Sequence, residues 1–420
     1  MAEEYDMPDV DIAIVGGGIA GSALGGLLAR AGLTVLIVER ETAFSDRVRG
    51  EWMAPWGVVE LRRLGLYERF LGAGGHHLSR HIGYDELVPV AMAAERTLPI
   101  SELVPGVPGP LCLEHVVMQN HALTQAIESG ACVRRGVTDV RVTAGRRPTV
   151  AFNHEAVSTT VSARLVVGAD GRSSTVRRQL GLTLEEAPID HLIAGLLIDG
   201  AEGWPQDLQA VGKVGDIHYL IFPQGGGRAR LYADFDARDR GRFAGPGGAE
   251  RMLAAFAMPC VPNSQAIAAA RPAGPCRSYP SQDAWIDVPY VEGVVLIGDA
   301  AGYNDPIIGQ GVSIALRDAR IVGGILTEGD DWTPNAFEPY ATERRERMRR
   351  LRASAEFATT LNARFAPRDL DRRARALGGI ADDPSLLMPA LAVYLGPEAV
   401  DVEFFTEAFR ERVFGIAGLQ

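Results

Sequence analysis

The sequence predicts an α/β fold, with a Rossmann-like domain, an inserted antiparallel β-sheet and a C-terminal helical region. Three observations carry this prediction. An apolar run at 10–15 leads into Gly-x-Gly-x-x-Gly and a helical stretch. Short strand-like runs separated by Gly and Pro turns fill residues 190–290, and residues 331–420 have mostly helical spacing. Strands inserted between helical segments indicate a mixed fold with more than one layer.

The chain has 420 residues, which is long for a single core, so we expect three parts. We predict a discontinuous Rossmann-like domain at 8–80, 110–190 and 285–330, a β-sheet domain at 81–109 and 191–284, and C-terminal helices at 331–420.

Composition narrows the possible partners. The net charge of −11 argues against nucleic acid or an anionic membrane as a partner. The four cysteines are scattered without metal-like spacing, and the acidic N-terminus is not typical of a signal peptide. We therefore expect a cytoplasmic protein without a metal site. His76, His77 and His81 lack further ligands at metal spacing, so we expect them in a solvated loop.

The first strand-turn-helix carries the strongest motif. Gly16 lets the chain turn, Gly18 leaves room for a pyrophosphate beside the backbone, and Gly21, after Ala20, lets the helix pack on the strand. The helix N-terminus offers free N–H groups to phosphate. Glu39, at the end of the second strand, can accept hydrogen bonds from ribose hydroxyls. The motif predicts dinucleotide binding but does not choose between NAD and FAD.

Two later stretches repeat the pattern of a buried strand followed by a turn and a helix. The strand at 164–168 leads into Gly-Ala-Asp-Gly, which places Asp170 at a strand end. The strand at 294–297 leads into Gly-Asp with Asp299, then Pro306, and Gly309 and Gly311 open a long helix. That helix N-terminus favours a group that becomes negative during a reaction.

The remaining stretches lead to weaker expectations. Residues 133–161 resemble a β-meander and not another βαβ unit. Residues 335–366 are rich in Arg and Glu, so we expect one long and mostly solvated helix. The Phe and Leu residues of the last 50 positions are expected to fill a core.

The three motifs, in this order over residues 10–320, resemble the class A FAD-dependent aromatic hydroxylases of the para-hydroxybenzoate hydroxylase fold. The resemblance implies a GR2-type FAD-binding domain whose inserted sheet holds the substrate. It implies an NAD(P)H- and O2-dependent monooxygenase that hydroxylates or epoxidises an electron-rich organic substrate through a flavin C4a-hydroperoxide, in natural-product tailoring or aromatic catabolism. The sequence departs from the family at Gly302, where His is usual, and at Val312-Ser313, where Asn is usual.

The resemblance also assigns site residues. Glu39 would hold the adenosine ribose. Contacts along the rest of FAD or with NAD(P)H are implied for Arg40, for Arg47 or Arg49, and for Gln119, Asp170, Asp299 and Gly309. Pro306 and Gly311 would form the flavin-ring environment, with the backbone N–H groups near Val312 and Ser313 facing N1/O2, and no protein nucleophile is needed. Substrate candidates, each equally well explained by packing, are Tyr219, Phe222, Tyr232, Tyr303 and Asn304.

Several alternatives stay open. A flavin-linked reductase of the geranylgeranyl reductase type shares this fold, and a flavin-binding accessory protein is a non-enzyme alternative. Halogenation is disfavoured because the W-x-W-x-I-P pattern of flavin-dependent halogenases is absent and Lys213 lies beside the Tyr219 strand. The expected partners are a small apolar or aromatic substrate and O2. The sequence does not separate NADH from NADPH, and it is compatible with a homodimer.

Overall fold

Two large β-sheets, one mainly parallel and one mainly antiparallel, organise the chain. The structure is a computed structural model that describes residues 9–48 and 50–415. Arg49, a predicted cofactor contact, lies outside the described residues. None of the helices in the described ranges combines the length and apolarity needed to cross a bilayer.

The strands are β1 (Val10–Val15), β2 (Val35–Glu39), β3 (Trp52–Met53), β4 (His76–His77), β5 (Arg80–Gly83), β6 (Leu111–Cys112), β7 (Cys132–Arg135), β8 (Thr138–Thr143), β9 (Thr149–His154), β10 (Val157–Gly168), β11 (Glu185–Glu186), β12 (His191–Asp199), β13 (Leu208–Val214), β14 (Ile217–Gly225), β15 (Arg228–Asp236), β16 (Arg271–Pro272), β17 (Arg277–Ser281), β18 (Ala284–Trp285), β19 (Tyr290–Val291), β20 (Val294–Leu296) and β21 (Gly302–Tyr303).

The helices are α1 (Ile19–Arg30), α2 (Pro55–Arg63), α3 (Tyr67–Gly72), α4 (Val90–Glu95), α5 (His115–Glu128), α6 (Thr175–Gln179), α7 (Gly248–Ala255), α8 (Ser264–Ala268), α9 (Gly311–Glu328), α10 (Glu338–Asn362), α11 (Pro367–Asp382), α12 (Met388–Leu395) and α13 (Glu407–Phe414). Short 3-10 turns occur at Gly298–Ala301, Pro306–Ile308, Pro334–Phe337, Pro384–Leu387, Pro397–Ala399 and Val402–Phe405.

The parallel sheet has the strand order β19-β20-β10-β1-β2-β7, and β19 alone on this path runs antiparallel to its neighbour. One face of its apolar strands packs on α1, α5 and α9, and the other face packs mainly on β8, β9 and the short helix α6. Val15 pairs with Gly168, and Gly168 pairs with Leu296. The three predicted strand-turn-helix motifs therefore begin side by side at one edge of one sheet. The α/β prediction is confirmed.

The stretch at 133–161 is only partly the β-meander that we predicted. Strands β8, β9 and β10 pair antiparallel, but β7 joins the main sheet parallel to β2 after the helix α5. That prediction was wrong for β7, because the helix preceding it provides the crossover that parallel strands need.

The second sheet, with the order β16-β12-β15-β14-β13-β5 and β17 beside β12, is antiparallel except where β13 pairs with β5. Alternation along β14 gives it two different faces. Tyr219 and Ile221 point into a core shared with α7, while Leu220 and Phe222 pack with the 3-10 turn Pro306–Ile308. The division into three domains with the boundaries given above stays a prediction.

Helix α10 is not the solvated helix that we expected. Arg344 and Arg347 are 2% and 3% exposed, and Tyr340 and Leu351 are fully buried. The Arg/Glu composition suggested exposure to solvent, but Arg344 and Arg347 of α10 instead neutralise Asp318, a buried acid of α9.

Candidate functional site

The first glycine turn is closed by contacts that exclude any side chain at two positions. Gly16 has a φ of 109°, and a Cβ there would lie 2.4 Å from the carbonyl oxygen of Ala169. A Cβ on Gly21 would lie 2.0 Å from the oxygen of Gly16. Gly18 differs, because a Cβ there would have only the Gln119 Nε2 atom within 4 Å, at 3.9 Å. The backbone at Gly18 therefore borders open space.

Helix α1 begins at this open space. Its N-cap, Gly18, has no capping side chain, and its first turn, which includes the buried Ala20, contains no acid. The first N–H groups of a helix lack intrahelical acceptors, so this end attracts an anion. Gln119, half-buried on α5, lies beside it.

Glu39 holds the turn from the neighbouring strand. Its Oε2 accepts the N–H of Gly17 at 2.7 Å, and its Oε1 accepts the N–H of Glu41 at 2.8 Å. The carboxylate is 8% exposed and keeps further lone pairs for ribose hydroxyls. Arg40 and Arg47 form ion pairs with Glu41, and their contact with FAD or NAD(P)H stays a prediction.

Arg135 is a candidate that the sequence did not reveal. It pairs with Glu39 across β7 and β2, and its guanidinium lies 4.4 Å from the ring centre of Phe44. Among the described residues its Nη2 is buried without a hydrogen-bond partner. An orphaned cationic donor beside the predicted ribose position suits a polar ligand. Only recognition of the βαβ crossover to β7 could have found it.

Asp170 uses its carboxylate within its own turn. Oδ1 accepts the hydroxyl of Ser174 at 2.5 Å, and Oδ2 accepts the N–H groups of Thr175 at 2.6 Å and Val176 at 3.2 Å. These bonds fix the start of α6, directly after the turn that follows β10. A direct contact between this carboxylate and a cofactor stays a prediction.

The Gly-Asp turn is held from the C-terminal side. Asp299 lies on the 3-10 turn Gly298–Ala301, 3.3 Å from the Nε of Arg172. The buried Arg344 donates to the carbonyl oxygens of Ala301 at 2.8 Å, Gly302 at 2.9 Å and Gly298 at 3.2 Å. Its Nε pairs with Asp318 at 3.0 Å. One guanidinium thus donates hydrogen bonds to three carbonyl oxygens of this turn.

Pro306 opens a 3-10 turn that ends at the left-handed Gly309, with a φ of 64°. Asp305 caps the turn by accepting the N–H of Ile307 at 2.9 Å. A Cβ on Gly309 would lie 3.1 Å from Trp52, so the turn is pressed against that indole. Gln310 then accepts the Nε1–H of Trp56 at 2.8 Å.

Helix α9 starts at the exposed Gly311 with no capping side chain and no acid in its first turn. The backbone N–H groups of Val312 and Ser313 belong to this uncapped turn. The Ser313 hydroxyl is buried against α2, where a Cβ on Gly57 would lie 2.1 Å from it. Ser313 can therefore bind a ligand only through its backbone N–H group, because its side chain packs against α2.

Four aromatic side chains form a surface next to the Pro306 turn. We call this surface the aromatic face, and it consists of Trp52, Phe222, Tyr232 and Tyr394. The ring centre of Trp52 lies 5.9 Å from that of Phe222 and 5.8 Å from that of Tyr394. The ring centres of Phe222 and Tyr232 are 6.1 Å apart. All four pack in one cluster with Ile307 and Ile308.

The aromatic face has a polar end at Gln209. The side chain accepts from Trp52 Nε1 at 2.8 Å, donates to the Tyr394 hydroxyl at 2.8 Å and contacts the His81 Nδ1 at 3.0 Å. Burial lowers the pKa of His81 to about 4, so its imidazole is neutral at pH 7. The solvated loop that we expected for His81 was wrong, because β5 joins the second sheet there.

Other substrate candidates lie elsewhere. Tyr219 is fully buried on the opposite side of the second sheet, with its hydroxyl donating to the Tyr84 oxygen at 2.9 Å, so its predicted substrate contact was wrong. The guanidinium of Arg172 lies 4.5 Å from the ring centre of Tyr303. The side-chain amide of Asn304 donates a hydrogen bond to Asp283. Lys213 is buried and donates to the carbonyl oxygen of Arg364 at 2.7 Å.

Known proteins are similar to this chain over most of its length. A family profile described as "FAD binding domain" matches residues 9–222, half of the chain, and one described as "Squalene epoxidase" matches 162–340. Squalene monooxygenase of Mus musculus is 24% identical over 77% of this chain and 56% of its own length. The 6-methylpretetramide 4-monooxygenase of Streptomyces rimosus is 28% identical over 77% of each chain.

Among solved structures, P. aeruginosa PqsL in complex with 2-aminobenzoylacetate has a TM-score of 0.73 at 22% identity, over 89% of this chain and 99% of that chain. This likeness shows the fold. The chain spans only 56% of the length of the mouse squalene monooxygenase and 61% of that of squalene epoxidase 3 from Arabidopsis thaliana. Because the family profile covers the two turns after β1 and β10, the chain belongs to the FAD-binding domain family.

Proposed function

We propose that the chain is an FAD-dependent, NAD(P)H-consuming monooxygenase that acts on a small, electron-rich apolar or aromatic substrate. The observation that carries the proposal is the packing of the aromatic face against the Pro306 turn, directly before the uncapped start of α9. That arrangement puts an apolar binding surface beside the turn that the family resemblance assigns to the flavin ring. The monooxygenase names of two relatives support it.

The residues at the sheet edge fit FAD. The pyrophosphate would lie over Gly18 at the start of α1, and Glu39 with Arg135 would bind the adenosine end. Gln119 and Asp299 would contact the chain between the phosphates and the ring. The first turn of α9, with Val312 and Ser313, would stabilise negative charge on the ring electrostatically.

Bound FAD would accept reducing equivalents from NAD(P)H and activate O2, which is chemistry that amino-acid side chains do not supply. The chain's own part is to position the substrate and to exclude water. Trp52, Phe222 and Tyr232 would hold a planar or apolar molecule by stacking and burial. Ile307 and Ile308 extend this apolar surface. Exclusion of water from it would protect reactive intermediates from unproductive decay.

The decisive experiment uses the purified full chain loaded with FAD, NADH or NADPH, and a panel of phenols, polyketides and indoles under 18O2. One 18O atom in the product, with a substrate-dependent acceleration of flavin reduction, supports the proposal. A reduced product formed without O2 would instead establish the reductase alternative. A yellow protein that neither nicotinamide reduces with any substrate would favour an accessory role.

A matched pair of variants tests the aromatic face. Phe222→Leu should weaken substrate binding, measured by the shift in flavin absorbance, because Phe222 contacts both Trp52 and Tyr232. Phe235→Leu makes the same change in the same sheet on the opposite face, where Phe235 packs on Phe243. It should leave substrate affinity unchanged. Equal effects of the two variants would argue against a substrate site at this face.

A further inference from the structure

A group of buried ionisable side chains lies beneath the Pro306 turn, at the end of the second sheet. We call it the His191 cluster, and it consists of His191, His218, Asp234, Asp283 and Asp305. His191, His218 and Asp234 come from three neighbouring strands and are at most 2% exposed. The predicted site residues do not include any of the five.

Distances link this cluster to the Pro306 turn. His218 Nδ1 lies 2.7 Å from Asp234 Oδ2, and His191 Nε2 lies 3.7 Å from Asp234 Oδ1. The same His191 atom lies 3.5 Å from Oδ1 of Asp305, the oxygen that caps Ile307 at 2.9 Å. Asp305 therefore joins the imidazole to the backbone of the turn.

Hydrogen bonds alone do not satisfy the cluster. Within the described ranges, the buried polar atoms that lack a hydrogen-bond partner here include both ring nitrogens of His191, Nε2 of His218 and Oδ1 of Asp234. Buried carboxylates are stabilised by a nearby cation as well as by hydrogen bonds. A protonated His191 lies between two of them and provides that charge.

We propose that protonated His191 is a positioning residue that holds the Asp305 carboxylate, and through it the Pro306 turn, in the geometry required for binding FAD. The link to FAD rests on the proposed function, while the charge pairing of His191 with Asp305 does not. No atom is transferred, because the imidazole acts only by its charge.

The charges around His191 support this assignment. Burial lowers the pKa of His191, but Asp305, Asp234 and Asp190 together raise it to about 8. Burial and the neighbouring Asp305 raise the pKa of Asp283 to about 7. Groups that face the cluster from the packed elements are Asp190 on the approach to β12, His218 on β14, Asp234 on β15, Ser281 on β17, Asp283 and Asp305 on loops, and Arg352 on α10.

The direction with pH follows from the raised pKa. The folded state holds the His191 proton more tightly than the unfolded chain, in which histidine titrates near 6.5. The stabilising charge is therefore fully present below about pH 6.5. It is lost as the pH rises through about 8.

The first test needs no cofactor. In the apoprotein labelled with 13C at the histidine Cε1 atoms, NMR should give one imidazole with a midpoint near 8, assigned to His191 by its absence in His191→Gln. Asp305→Asn keeps an oxygen for the Ile307 N–H but removes the charge, so it should lower that midpoint by about one unit or more. A His191 midpoint at or below its ordinary value, or one unchanged in Asp305→Asn, would overturn the proposal.

The second test follows the dissociation constant of FAD between pH 6 and 9.5 by flavin fluorescence. The FAD affinity of the wild type should fall by about fivefold or more as the pH rises through 8. His191→Gln should bind FAD more weakly than the wild type at pH 6, and its FAD affinity should not change with pH. His218→Gln removes a buried imidazole that bonds Asp234 and not Asp305, so it should keep the step. The same pH step in His191→Gln as in wild type would refute the role of His191. If no variant or wild type binds FAD, the proposed function fails, and the NMR test still decides on the charge pairing.

Discussion

Replacing Gly18 by Ala should separate cofactor binding from folding more cleanly than any other change at the glycine turn. The φ of Gly18 is −68°, which alanine adopts without strain. An added methyl group would meet no protein atom closer than the Gln119 Nε2 atom at 3.9 Å. The methyl would instead occupy the open space over the start of α1, where we place the pyrophosphate.

The expected magnitudes differ for the two processes. Alanine is a poorer N-cap than glycine by about 0.5–1 kcal/mol, but it restricts the unfolded chain by about 0.4–1 kcal/mol, so the free energy of unfolding should change little. A backbone hydrogen bond to a charged phosphate contributes about 1.5–3 kcal/mol. Losing one such bond at Gly18 would weaken FAD binding by about 10- to 150-fold, since about 1.4 kcal/mol is a tenfold change.

The assay titrates the apoprotein with FAD and follows quenching of flavin fluorescence, with urea denaturation of the apoprotein measured in parallel. Gly21→Ala is the matched control, because its Cβ would lie 2.0 Å from the Gly16 oxygen and must disturb the fold itself. We expect Gly18→Ala to keep the urea midpoint and lose affinity, and Gly21→Ala to lose both. An FAD affinity within twofold of wild type in Gly18→Ala would refute the placement of the pyrophosphate.

Three further predictions concern the C-terminal side and the cluster under the turn. Arg344→Met should lower the free energy of unfolding by about 3–5 kcal/mol in urea, because it leaves Asp318 without one of its two buried cations. The pKa of Asp283 is raised to about 7, so between pH 4 and 7 the folded state holds a proton that the unfolded chain has lost. The free energy of unfolding should therefore fall by up to about 4 kcal/mol from pH 4 to 7. Asp283→Asn should remove this pH dependence, as measured by urea titrations at each pH. Tyr394→Phe removes the hydroxyl that accepts from Gln209, so it should weaken substrate binding in flavin absorbance titrations but leave the dissociation constant of FAD unchanged.

The parallel sheet and its glycine turns were predictable because their signals are local. An apolar strand, a turn that admits only glycine and a helix start lie within about twenty residues of one another, and the pattern occurs three times. The contact of Gly21 with the Gly16 oxygen shows why the first motif is so constrained. Side-by-side placement of the three turns then follows from parallel pairing of β1, β10 and β20.

The site residues that sequence reasoning missed all depend on distant pairing. Arg344 looked like one of many surface arginines, and its partner Asp318 is 26 residues away on another helix. Tyr219 and Phe222 look alike in sequence, but strand alternation puts them on opposite faces. Which face meets the Pro306 turn is decided by long-range packing that involves Trp52 and Tyr394, so composition and periodicity alone could not choose between the two.

Helix α10 connects the parts of the site that the sequence treated as separate. Arg344 fixes the Gly298–Gly302 turn, and Met348 and Leu351 pack in the same cluster as the aromatic face. The charge of Arg352 offsets a part of the rise that burial and Asp305 cause in the pKa of Asp283, in the His191 cluster. These residues recur along one stretch of the helix, so a displacement of α10 would move all three regions together. The Gly298–Gly302 turn, the aromatic face and the His191 cluster thus share one supporting helix.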